Sequence, residues 1–127
     1  MQYLFDQVIY GEPCSKANSR RAVRTKSGRS MFIKSQKALD YVTSFAQQCR
    51  QLDELITEDV AVEITIWYSS RRPDLDESLI LDCLQDKVYK NDRSVKEKHI
   101  YWGGVDKERP RAHIRVRYLQ DGIQQGD

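Results

Sequence analysis

Asp74 and Asp76 stand two positions apart in Arg71-Arg72-Pro73-Asp74-Leu75-Asp76, and Asp92 follows in Asn91-Asp92-Arg93. If residues 70–76 are extended, side chains alternate with period two and both acids point to one face. Carboxylates that close repel unless something neutralises them. Three carboxylates at one point would suit Mg²⁺, a hard cation that takes oxygen ligands and keeps several waters. Such a metal lowers the pKa of bound water and stabilises charge on a phosphate under attack. Arginines and lysines border the acids, so the pattern points toward a metal-dependent nuclease.

Other chemistries compete for the same residues. Asp74-Leu75-Asp76-Glu77 also fits a capping box, with Asp74 at the N-cap and Glu77 three residues on. The two roles are compatible, because a helix start is a rigid mount for a ligand. An EF-hand is excluded, because in a loop that begins with Asp74 as its first place the sixth and twelfth places require Gly and an acid but hold Leu79 and Gln85. Asp82 and Asp86 fall on the following helix, and Asp82, at the edge of its apolar stripe, reads as a surface acid or a helper. Asp92 alone would be an ordinary turn acid in Lys90-Asn91-Asp92-Arg93. His99 and His113 lack metal-ligand spacing, and no Ser or Cys has a recognisable catalytic partner. Trp67 and Trp102 are core residues or base-stacking platforms, with the core favoured for Trp67.

Charge is distributed unevenly. Among 127 residues the net charge is only +2, yet residues 13–39 contain no acid and carry Lys16, Arg20, Arg21, Arg24, Lys26, Arg29, Lys34 and Lys37. A local excess of this kind steers polyanions. Arg71 and Arg72 extend it toward the acids, and Arg111, Arg115 and Arg117 are further candidates for a phosphate surface or for edge protection. The three cysteines, Cys14, Cys49 and Cys83, form no Cys-x-x-Cys pair. A disulfide framework or zinc site is thus disfavoured, and the expected compartment is the reducing cytoplasm. No apolar run reaches the roughly 18 residues of a membrane span, and no secretory h-region is evident.

The elements that must position the acids follow from periodicity. Residues 3–10 read as a strand closed by Gly11-Glu12-Pro13. Residues 14–33 show no steady period and are expected to form a long mobile loop, a clamp on a phosphate backbone or a solvated surface. A helix should start at the N-cap Ser35 and run to about Leu52 with Leu39, Val42, Phe45, Ala46 and Cys49 inward. Residues 59–68 form the expected central strand, delivering the chain to Asp74. A helix over 76–88 places Leu75, Leu79 and Cys83 on one side, with Ile80, Leu84 and Val88 beside them. A strand over 93–102, a turn from Gly103 to Pro110 and a strand over 112–119 read as an antiparallel hairpin. The expectation is one α+β domain over residues 1–119, a mixed sheet with two main helices packed on it, and a frayed tail over 120–127.

Several motifs in order carry a resemblance: Gly11-x-Pro13-x-x-Lys16 with arginines after it, Arg72-Pro-Asp-Leu-Asp76, Val88-Tyr-Lys-Asn-Asp92-Arg-Ser-Val95, and Glu97-Lys-His with Arg109-Pro-Arg111. From Tyr3 to about Tyr118 the chain resembles the RusA family of Holliday-junction resolvases of bacteria and their phages or prophages. The resemblance implies a small α+β homodimer that binds branched DNA, in the bacterial host cytoplasm, and cuts it with Mg²⁺ or Mn²⁺. It places the family's three metal-binding catalytic carboxylates on Asp74, Asp76 and Asp92. Two symmetric sites in a dimer could nick opposing strands of a four-way junction. The chain departs from the family pattern at Glu77, where Asn is usual, and at Ile80, where a Lys is usual. Glu77 could add a metal ligand, and Lys16, Lys87 or Lys90 could supply the missing charge. The alternative is a relative that binds branched DNA without cutting it. A protein-interaction or virion accessory domain stands third.

Overall fold

The computed structural model describes residues 2–15, 20–24, 26, 28 and 30–119, with the side chains of 20–24 and 30–33 excepted. The tail over 120–127 lies outside the described residues. Strands β1 (Phe5–Tyr10), β2 (Arg20–Arg24) and β3 (Ser30–Lys34) precede helix α1 (Gln36–Gln48). Then come β4 (Val60–Tyr68), α2 (Ser78–Leu84), a 3₁₀ turn (Asp92–Ser94), β5 (Val95–Val105) and β6 (Arg111–Tyr118). This is a small α+β domain built on a mixed four-stranded sheet of order β1-β6-β4-β5.

The expected β5–β6 hairpin does not form. β4 lies between them, antiparallel to β6 and parallel to β5. Two parallel neighbours need a crossover connection, and α2 with the 3₁₀ turn supplies it. Gly103 and Gly104 belong to β5 and not to the turn, which spans 106–110. Residues 14–33, expected to be a loop, hold a second sheet in which β2 pairs antiparallel with β3. Each strand carries a short β-forming core, Ala22-Val23 and Met31-Phe32-Ile33, that the surrounding charge obscures.

The sheet buries one face. Val60, Val62, Ile64, Ile66 and Tyr68 of β4 line it with Ala112, Ile114 and Val116 of β6 and Phe5 and Ile9 of β1. Against them pack Ala38, Tyr41 and Phe45 of α1 with its C-cap Cys49, and Leu79, Ile80 and Leu84 of α2. The α1 stripe is therefore rotated from expectation, with Leu39 and Ala46 exposed. Ser35 does cap α1, its hydroxyl accepting from the Ala38 N–H at 3.2 Å. α1 ends at Gln48, short of Leu52, because the Gln48 amide turns to the outer strand β1. It accepts from the Tyr10 N–H and donates to the Tyr10 carbonyl, each at 2.8 Å, which satisfies edge groups that could otherwise pair with another chain.

α2 also ends early, at Leu84 and not Val88. Asp86 adopts φ 68°, a left-handed conformation that Asp tolerates better than most residues. The resulting turn returns Val88 and Tyr89 to the core, and the Tyr89 hydroxyl donates to the Leu81 carbonyl at 2.7 Å. Leu75, expected inward, is exposed.

One buried polar atom is unsatisfied among the described residues, the Tyr41 hydroxyl. Burial strands this group without a partner and pushes the phenol pKa far above its usual range. Tyr41→Phe should therefore stabilise the protein by about 1 kcal/mol, since an unpaired buried polar group costs that order or more. Urea denaturation midpoints of the two proteins check this.

Candidate active site

The site begins where the central strand ends. Tyr68, buried at the end of β4, donates its hydroxyl to the Asp74 carbonyl and accepts from the Asp76 N–H, both at 3.1 Å. Burial raises the Tyr68 pKa, which keeps the phenol a neutral donor. The backbone of the acidic loop is thus hung on a core side chain. Nearby, Glu12 Oε1 accepts from the Ser69 N–H and hydroxyl at 2.6 Å each, which ties the segment after β1 to the same loop.

Asp74 does not cap α2. It is exposed, and Glu77 occupies the N-cap without a side-chain cap bond. Asp76 takes the local role: its Oδ1 accepts from the Ser78 N–H at 2.9 Å and the Ser78 hydroxyl at 2.6 Å, an Asx-type start to the helix. Glu77 pairs instead with Lys98 of β5, Oε2 to Nζ at 2.8 Å.

Beside this helix start lies a cavity of about 260 Å³ lined by Ser78, Leu81, Asp82, Asp92, Val95 and Lys98. Asp92, exposed, reaches it from the 3₁₀ turn just before β5, and Asp82, also exposed, from α2. Ser78 joins the two parts, holding Asp76 on one side and lining the cavity with Asp92 on the other. Asp74 is not in that lining. Among the described residues no group of three or more His, Cys, Asp or Glu is arranged to hold a metal ion. The available donors are carboxylate and hydroxyl oxygens. They fit a hard ion such as Mg²⁺, which needs only one or two carboxylates and fills its shell with water.

The basic residues divide. Arg20, Arg21 and Arg24 lie on β2, Lys26 is exposed in the β2–β3 connection, and Lys16 and Arg29 fall outside the described residues. Arg71 and Arg72 are both exposed but diverge: Arg71 lines one cavity with Trp102, and Arg72 another with Glu12 and Lys37. Lys87 Nζ donates to the Ala46 carbonyl at 3.5 Å, and Lys90 is exposed.

On the face away from the helices, Glu63 organises the arginines. Its Oε2 accepts from Arg117 Nε at 2.9 Å and its Oε1 from the Tyr3 hydroxyl at 2.9 Å, with Arg115 at 3.6 Å. Arg117 is buried and also reaches Glu97 at 3.4 Å, so it is no free phosphate contact. Trp67 is half-buried and not core: Gly103 abuts one part of its ring, and the Arg111 guanidinium stands 4.3 Å from its centroid. His99 pairs with Glu97, and His113 with Asp6 at 2.6 Å, which makes both surface polar residues. The cysteines are free thiols, and burial, with Asp82 nearby, pushes Cys83 up to about 12, which removes it as a nucleophile.

This is an α+β domain in which the acidic loop after the central strand is tied through Ser78 to a cavity that Asp82, Asp92 and Lys98 line. A comparison with family models matches residues 11–117 to Endodeoxyribonuclease RusA, and the chain belongs to the RusA family. No curated protein matches the chain closely enough to count as a relative. The matched span includes Asp74, Asp76 and Asp92. Sequence reasoning missed Lys98 and Tyr68. The signal for Lys98 was available in β5, where Lys98, Ile100 and Trp102 alternate and the partly buried Ile100 marks the helix side.

Proposed function

We propose that the protein is a structure-selective endodeoxyribonuclease that resolves Holliday junctions by symmetric nicking, acting as a homodimer in recombination and repair in the cytoplasm of a bacterial host. Family membership supports the activity class. The observation that supports the site is the Asp76–Ser78 contact, since the Ser78 that bonds the Asp76 carboxylate also lines the cavity with Asp92. Asp74, Asp76 and Asp92 would hold Mg²⁺, with Mn²⁺ as a substitute, and Glu77 is a further oxygen donor next to them. When bound, the ion activates water and neutralises charge on the scissile phosphate.

The chain's own groups do the rest. Tyr68 fixes the acidic loop, and Ser78 orients the Asp76 carboxylate. Lys98 is the cation best placed to meet charge developing on the phosphate, since it lines the cavity with Asp92 and is held by a half-buried Glu77. The basic β2–β3 hairpin and Arg71 and Arg72 hold the backbone, so affinity should fall steeply with salt.

The second reading, a protein that binds branched DNA without cutting, rests on Ile80. That side chain is fully buried and supplies no cation. Lys98 favours the cutting form. Electron paramagnetic resonance of Mn²⁺ tests the metal assignment directly. Wild-type protein should bind the ion, and Asp76→Asn or Asp92→Asn should weaken binding at least about tenfold, the scale reported for disturbing metal-ligand shells. Equal Mn²⁺ binding by all three proteins would refute the assignment.

A further inference from the structure

A sizeable cavity lies outside the acidic site. It measures about 630 Å³ and is lined by Arg71, Trp102, Gly104 and Val105. Trp102 is 41% exposed although it is one of the largest apolar side chains of the domain. One face of its indole is covered by Tyr68, with ring centroids 5.2 Å apart and planes 25° from parallel. Tyr68 holds the Trp102 ring in place and leaves part of the indole open to solvent. Gly104, with φ 132°, keeps the wall of the cavity free of a side chain at that position.

We propose that this cavity binds an unpaired nucleobase of the DNA substrate, stacked on Trp102, with the adjoining phosphate on Arg71. Every base has a π-face, so an aromatic platform beside a cation recognises single-stranded nucleotides without regard to sequence. The volume lies within the range of small-molecule sites. Charge favours this occupant, since Arg71 brings a full positive charge beside the exposed Trp102. Continuity with the acidic site favours it too. The Tyr68 that backs Trp102 is the residue whose hydroxyl bonds Asp74 and Asp76, so one buried side chain sets both the stacking platform and the acidic loop. A base taken from the branch point of a junction would thereby sit one core residue away from the loop that meets its phosphate. The site also provides a physical reason to prefer branched over continuous duplex DNA, because unpaired or readily unstacked bases occur at the branch.

The inference rests on the nuclease reading above, and the experiment separates the two. The full-length protein is added to a fluorescein-labelled fifteen-nucleotide oligothymidylate in EDTA while fluorescence anisotropy is followed, with tryptophan emission of the wild type read alongside. Junction binding and cleavage of a fluorescent four-way junction are measured in parallel. Wild-type emission should be quenched on binding. Trp102→Ala should weaken oligonucleotide binding by roughly tenfold or more, the scale of one lost base–aromatic stack. Trp102→Phe should recover most of that affinity, and Arg71→Ala should weaken binding with the indole still present. Oligonucleotide affinity unchanged in Trp102→Ala, with junctions still cut, would overturn the base pocket and leave the nuclease reading standing. Failure of the wild type to bind any DNA at low salt would sink both. If Trp102→Ala instead converts a dimer to a monomer in sedimentation velocity, with oligonucleotide affinity per protomer intact, the patch is a contact between copies and the base pocket is wrong.

Discussion

Asp76→Asn should lower junction cleavage by about a hundredfold or more, the scale of losing one preorganised electrostatic contact, while junction binding persists. The substitution is a clean probe for a structural reason. Asp76 Oδ1 accepts both Ser78 bonds, and an amide oxygen can accept them equally well. The start of α2 and the packing behind it should survive, so a loss of cutting would reflect the missing charge. Circular dichroism and a binding isotherm in EDTA, taken beside single-turnover cleavage, distinguish lost chemistry from lost fold. Cleavage at the wild-type rate would remove Asp76 from the proposed metal site.

The largest stability effect should come from the opposite face. Glu63→Ala should cost about 3 kcal/mol, because it strands a buried cation. Arg117 is only 8% exposed, and without Glu63 it retains just the longer contact to Glu97 at 3.4 Å. The melting temperature should fall by on the order of 10 °C. Burial by itself would raise the Glu63 pKa, but hydrogen bonds from Arg117 and Tyr3 and the charges of Arg115 and Arg117 outweigh it and hold the carboxyl below its ordinary value. A depressed folded-state pKa stabilises the protein fully above the unfolded value, near about 4.3 for Glu, and that contribution is lost as pH falls through the folded value. The gap in melting temperature between wild type and Glu63→Gln should thus be widest near neutrality and narrow below about pH 4. A gap that widened in acid would show that the ion pairs are not its source.

What could be read from the residues beforehand tracks how local each signal is. The apolar run of β4 and the Ser35 cap are short-range patterns, and both appear where expected. Strand pairing is not local. β5 and β6 are consecutive and joined by a short turn, yet β4 inserts between them because the crossover through α2 is satisfied only by a parallel neighbour. Residues 20–34 misled because charge drew attention from the two small β-forming cores that pair there. α2 looked longer than it is because Val88 continues its apolar period, whereas a left-handed Asp86 breaks the helix first. Within the candidate site, Asp74, Asp76 and Asp92 were legible as a set of acids, and all three fall inside the span matched to the family. The division of labour was not: Asp76 rather than Asp74 starts the helix, and Lys98 reaches the cavity from a strand distant in sequence. No spacing rule encodes the contact between Glu77 at the start of α2 and Lys98 of β5, which meet only in the folded chain.

Cleavage of a fluorescently labelled four-way junction by the purified protein, with and without Mg²⁺, decides whether this domain resolves junctions with a metal. Paired nicks at symmetric positions in opposing strands should appear only with the divalent ion, while linear duplex of the same sequence stays intact. Junction that is bound but left uncut at every Mg²⁺ and Mn²⁺ concentration, or cut equally well in EDTA, would contradict the proposed function.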